Sequence, residues 1–194
     1  MAFTVFVNAY EIDPIRGHGL YTIPSQMYMA SHSTTNQRNR FQEALDIWND
    51  ACFSYDFLTY GGLMPIEDDY TVEPNMEDGY NCVTILPDPE EGTSAYTYYT
   101  VDYPVGSLNY IVECEINFNK NLTWYAGTGT CPNNALDFLS VAVHEIGHVF
   151  GFGEFLNKYY NGIREPMYEI TEPGEMHRYV TQDDIQGIHA IYLD

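Results

Sequence analysis

Three stretches of the chain repeat their apolar residues at helical spacing. Phe41, Ala44, Leu45, Trp48 and Cys52 recur at i, i+3, i+4, i+7 and i+11, which predicts a helix over residues 36–51 with one face turned to a core. Thr34, followed three residues later by Gln37, supplies a capping-box start for it. Leu139, Ala142, Val143, Ile146 and Phe150 make a second core-facing stripe over residues 134–150, preceded by Pro132 and Asn133 and stopped by Gly151. A third helix is expected over residues 182–192, opened by Thr181 with Asp184 and faced by Ile185, Ile188 and Tyr192.

Between the first two helices the period changes from helical to strand-like. Residues 82–86 form one short apolar run, and residues 95–101, rich in Tyr and Thr, a second. Residues 111–118 alternate strictly: Cys114, Ile116 and Phe118 face one way, and Glu113, Glu115 and Asn117 the other, read here as a solvated face. A first strand is expected within residues 20–30, and the acidic, turn-rich residues 66–79 read as a loop. The order strand, helix, several strands, helix, loop, helix predicts an α+β fold, with helices against one twisted sheet, and one domain spanning residues 1–194.

Composition narrows the function. Hydrophobic residues make up 45% of the 194, and 18 are Tyr, which excludes a disordered chain. Seven Lys and Arg stand against 28 Asp and Glu, a formal charge of -21. Such a field repels phosphate backbones and anionic membranes, and favours cations such as calcium or simply a solvated acidic surface. Candidate calcium loops are residues 67–78 and 88–92, where carboxylates and turn carbonyls cluster. No apolar run reaches the ~20 residues of a membrane span. The apolar start, Met1 to Val7, lacks a preceding basic segment, so no signal peptide is evident. Four cysteines, none in C-x-x-C spacing, permit two disulfides and an oxidising, extracellular location; four buried thiols in a reducing cell are the alternative. The expected pairs are Cys114 with Cys131, closing a loop across Trp124, and Cys52 with Cys82 by elimination.

The chemistry concentrates in His144-Glu145-Ile146-Gly147-His148. Two histidines four apart on a helix leave the same face, where their ring nitrogens can bind one Zn2+ at ~2.0–2.1 Å. Glu145 lies beside them, placed to take a proton from a water that zinc acidifies. A chance occurrence on an amphipathic helix would leave the histidines exposed, but this one lies in an apolar stretch. Gly151 then allows the chain to turn back, so that Glu154 arrives where a third ligand is needed.

These residues resemble the extended motif of the metzincin metalloproteases, H-E-x-x-H-x-x-G-x-x-H, with Glu154 in place of the third His. Among metzincins the chain is similar to the matrixins. Pro166-Met167-Tyr168 resembles their Met-turn, with Met167 beneath the zinc, residues 113–124 their last strand and Trp-bearing loop, and residues 180–192 their closing helix. The resemblance covers residues 20–192 and implies a matrixin-like fold: a twisted mixed sheet of about five strands with three helices. It implies a monomeric zinc endopeptidase that acts on protein or peptide substrates. Glu145 is then the general base, and His144, His148 and Glu154 are the zinc ligands. Substrate would extend along an edge strand at residues 93–99, and an apolar pocket would involve Tyr168, Ile170, Met176 and Tyr179. The family's second, structural zinc is not expected, because no spaced His cluster precedes Leu108; nor is a propeptide. His177 is the alternative third ligand. A non-proteolytic zinc-binding adhesion or toxin-like module on the same fold is the rival function.

Overall fold

The computed structural model describes residues 25–51, 56–64, 78–87, 93–102, 110–168 and 171–192. Strands β1 (Ser25–Met29), β2 (Leu58–Leu63), β3 (Asn81–Leu86), β4 (Ala95–Asp102) and β5 (Tyr110–Asn119) form one mixed sheet in the order β2-β1-β3-β5-β4. Neighbouring strands run parallel except β4, which lies antiparallel to β5 on the outer edge. Short strands β6 (Trp124–Tyr125) and β7 (Leu136–Asp137) pair with each other, as do β8 (Tyr159–Tyr160) and β9 (Ile163–Arg164). Three helices complete the architecture: α1 (Thr35–Ala51), α2 (Phe138–Val149) and α3 (Gln182–Tyr192). The fold is thus the α+β arrangement of a five-stranded sheet and three helices that the sequence implied.

Two of the helix starts form as the capping pattern requires. The Thr34 N–H and hydroxyl both bond the Gln37 side chain, and Thr181 and Asp184 bond reciprocally through side chain and backbone. Helix α2 differs from its expected span. Residues 136–137 are drawn into the β6–β7 pair, and Asp137 becomes the N-cap, accepting from the Ser140 N–H at 3.0 Å. The helix therefore begins at Phe138 rather than residue 134. Strand β2 is not foreshadowed by the pattern, because Gly61 and Gly62 interrupt it. The Tyr28 ring of β1 lies against Gly61: a Cβ there would sit 2.5 Å from it unless the ring moved.

The core is one cluster in which α1 and α2 meet the sheet. Trp48 of α1 stacks with Phe152 at a centroid distance of 5.6 Å and donates its indole N–H to the Val143 carbonyl of α2 at 2.8 Å. Phe118 stacks on Phe138 at 4.2 Å, with Trp124 edge-on to both. These contacts hold α2 against α1 and the β4–β5 side of the sheet.

Three expectations are corrected or left open here. The face of β5 carrying Glu113, Glu115 and Asn117 is buried, not solvated. Glu113 accepts the N–H groups of Asp78 and Gly79, Glu115 accepts that of Cys82, and Asn117 accepts from Leu86 and Thr84. These polar residues thus bond the backbone and side chains of their own neighbours rather than water. The Cys114–Cys131 disulfide is not formed: both thiols are free and buried. Cys114 faces Asn81 Oδ1 at 3.3 Å, whereas Cys131 donates to the Ala135 carbonyl at 3.2 Å, so each thiol is held by its own neighbourhood. The other expected pair involves Cys52, which lies outside the described residues, as do the 88–92 loop and all but Asp78 of the 67–78 loop. No helix of the described residues is long and apolar enough to cross a membrane.

Candidate metal centre

Helix α2 carries His144 and His148 one turn apart, both buried, with their Nε2 atoms 3.1 Å from each other. Beyond His148 the helix ends at Phe150, and Gly151 adopts φ 99°, a left-handed conformation that costs a glycine nothing. The Phe152 N–H returns to the Gly147 carbonyl at 3.1 Å, which reverses the chain toward the histidines. Glu154 Oε1 then lies 3.2 Å from His148 Nε2 and 3.5 Å from His144 Nε2. Ligands at ~2.0–2.1 Å from a tetrahedral zinc stand about 3.3–3.4 Å apart. The three observed separations, 3.1, 3.2 and 3.5 Å, bracket that value.

The other ring nitrogens are fixed by backbone carbonyls. His144 Nδ1 faces the Pro166 carbonyl at 2.9 Å, and His148 Nδ1 faces that of Phe152 at 2.8 Å. A carbonyl can only accept, so each Nδ1 carries a proton, and it is Nε2, once free of its own proton, that can offer a lone pair to the space shared with Glu154. Electrostatics marks that space as a cation trap. Burial depresses the His144 pKa, but the hydrogen bond to Glu154, the charges of Glu145 and Glu154, and the Pro166 carbonyl outweigh it and raise it to about 9. Burial pushes Glu154 up, and the two imidazoles pull it well below the usual carboxylate range. The donor set, two imidazoles and a carboxylate, suits zinc.

Met167 packs its sulfur against Gly147 of α2, where a Cβ would collide with Met167 Sδ and sit 3.1 Å from Trp48. The Met167 carbonyl accepts the Phe155 N–H at 2.7 Å, tying the segment after Glu154 to the methionine turn. Downstream, Arg178 grips the Asp137 carboxylate with two nitrogens, at 2.9 and 2.5 Å, and the His177 N–H bonds Ser140 Oγ at 2.6 Å. The His177 ring faces Glu175 at 3.3 Å, outside the triad. Of the expected pocket residues, Met176 Sδ accepts the Cys131 N–H, Tyr168 lies under the Arg164 guanidinium, and Tyr179 bonds the Arg164 carbonyl; Ile170 lies outside the described residues.

Glu145 is buried on the sheet side of α2. Thr97 of the edge strand β4 donates its hydroxyl to Glu145 Oε2 at 2.6 Å. The sequence reading missed Thr97, although strand parity places it with Ala95 and Tyr99, which pack on the core. The Pro166 and Phe152 carbonyls left no sequence signal at all.

The fold thus combines a sheet with an outer antiparallel strand, a helix bearing H-E-x-x-H, and Met167 packed against Gly147 of that helix. The chain belongs to the matrixin family, whose profile matches residues 20–193. That family is one of zinc-dependent metalloproteases. The chain is 28% identical over 107 residues to matrix metalloproteinase-25 of Mus musculus, covering 54% of this chain and 15% of that protein. It is 33% identical over 100 residues to metalloendoproteinase 1 of Glycine max, covering 48% and 31%. To human matrix metalloproteinase-16 it is 24% identical over 156 residues, covering 80% and 23%. The chain thus spans less than a third of the length of these curated relatives.

Proposed function

We propose that this chain is the catalytic domain of a zinc-dependent endopeptidase, with His144, His148 and Glu154 as the zinc ligands and Glu145 as general base. The observation that carries this reading is the convergence of three donor atoms at zinc-ligand separations, with both Nδ1 protons already committed to carbonyls. A zinc ion held by His144, His148 and Glu154 would supply Lewis acidity to the scissile carbonyl and to the attacking water. Glu145 would take the proton from the attacking water and hand it to the departing amine. Met167 supports the ligand helix from below through the close approach at Gly147. An extended peptide adds to the outer side of β4, which brings its backbone alongside α2 and Glu145. The protein acts as a monomer on protein or peptide substrates, outside the cell. Of the acidic loops expected to hold calcium, residues 67–78 and 88–92, only Asp78 is described, and we extend that expectation to the cluster it forms with Glu113 and Glu115. Asp78, Glu113 and Glu115 bring carboxylate oxygens within 4.8 Å of one another, and Glu115 Oε2 is buried with no hydrogen-bond partner.

The test is zinc content together with cleavage of a mixed peptide library. The protein should hold one zinc per chain, cleave internal peptide bonds, lose activity to a chelator and regain it with zinc. Glu145→Gln should keep the zinc and lose about 10²–10⁴-fold in turnover. Stoichiometric zinc with no cleavage would place the protein among non-proteolytic zinc-binding modules instead.

A further inference from the structure

We infer that Thr97 is a positioning residue for Glu145, holding one carboxylate oxygen so that the other is the one presented to the attacking water; this rests on the role given to Glu145 above. Thr97 Oγ1 lies 2.6 Å from Glu145 Oε2 and 3.2 Å from the Glu145 carbonyl oxygen. A hydroxyl carries a single proton, and the charged acceptor at the shorter distance takes it. The bond crosses between two elements that are each fixed independently. Thr97 is held by the pairing of β4 with β5, where it stands opposite Ile116. Glu145 belongs to α2, which Trp48 anchors two residues away through the Val143 carbonyl.

A glutamate side chain has three rotatable bonds, and loss of its one fixed oxygen would spread the carboxylate over several orientations. Misplacement of a reacting group by about 1 Å costs on the order of 100-fold in rate. The same hydroxyl sits on the strand along which substrate is proposed to lie. The strand that receives the peptide is therefore also the strand that aims the base.

Thr97→Val preserves shape and removes the donor; Thr97→Ser keeps the donor and removes a methyl group. In the zinc-loaded protein, Thr97→Val should lower kcat about 10–100-fold with KM and zinc affinity unchanged. Thr97→Ser should recover most of that loss, and in a Glu145→Gln background Thr97→Val should have no further effect. Independently of turnover, the side-chain carboxyl 13C resonance of Glu145 should be the same in wild type and Thr97→Ser and displaced in Thr97→Val. Cleavage by wild type with an unaltered kcat and resonance in Thr97→Val overturns the positioning role alone. No cleavage by zinc-loaded wild type overturns the reading of Glu145 and this inference with it.

Discussion

Because residue 154 is a carboxylate, the proposed ligand set carries a formal negative charge that three imidazoles would lack. That charge attracts a divalent cation as well as donating to it, so losing the side chain removes both contributions. Glu154→Ala should therefore weaken zinc binding at least about 100-fold, beyond the 10–100-fold range usual for groups that only support a ligand. His177→Ala should leave zinc affinity within a factor of about two, since the His177 ring faces Glu175 rather than the triad. Competitive titration with a chromophoric chelator measures both. Unchanged affinity in Glu154→Ala with loss in His177→Ala would reverse the assignment. The positions of His144, His148 and Glu154 were readable because they depend on local geometry alone: a 3.6-residue period and one glycine turn. Thr97, the Pro166 carbonyl and the Phe152 carbonyl were hidden. Two are backbone groups common to every residue, and the third comes from a strand 48 residues away.

At the scale of elements, the apolar period located α1, α2, α3, β3, β4 and β5, and failed where a tertiary contact overrode it. Helix α2 loses its first expected turn to the β6–β7 pair. The alternation in β5 gave the correct two faces but assigned one of them to water, because Glu113, Glu115 and Asn117 are bonded by neighbouring segments that no local pattern announces. One close approach between elements is directly testable. Gly147 lies inside α2, where alanine would ordinarily favour the helix by up to about 1 kcal/mol. Here the added methyl group would meet Met167 and Trp48. Gly147→Ala should thus destabilise by about 1–3 kcal/mol despite its better helix propensity. The double variant Gly147→Ala with Met167→Ala should cost less than the two single changes added together, because the smaller side chain removes the collision. Denaturant unfolding of the four proteins checks it, and a stabilised Gly147→Ala would refute the packing.

For the molecule as a whole, the formal charge of -21 and the buried acids point in the same direction. Burial raises Glu115 to about 9, with Asp78 and Glu113 adding to it against the pull of the Cys82 N–H. Burial likewise lifts Glu165 to about 7, reinforced by Asp184, and Asp184 to about 6. A carboxylate whose folded pKa exceeds its unfolded value binds its proton more tightly in the folded state. Stability is then full below the unfolded pKa and is lost as pH rises through the folded one. Each such group contributes up to about 1.4 kcal/mol per pH unit across its window. Metal-stripped protein should therefore show a Tm that falls as pH rises from about 5 to about 9, steepest below about pH 6, where Asp184, Glu165 and Glu115 all hold protons the unfolded chain has lost, and shallower above about 7, where only Glu115 still does. Self-repulsion of the acidic surface adds to the same slope and is weakened by salt, whereas the contribution of the buried groups is not. The fall in Tm should accordingly persist at high ionic strength. A cation bound between Asp78, Glu113 and Glu115 takes the place of the proton, so calcium should raise Tm more at pH 9 than at pH 5 and flatten the profile. A Tm that rises over this range would show that these carboxylates are not held protonated in the fold. A fall that calcium leaves untouched would show that their cluster binds protons and not the metal.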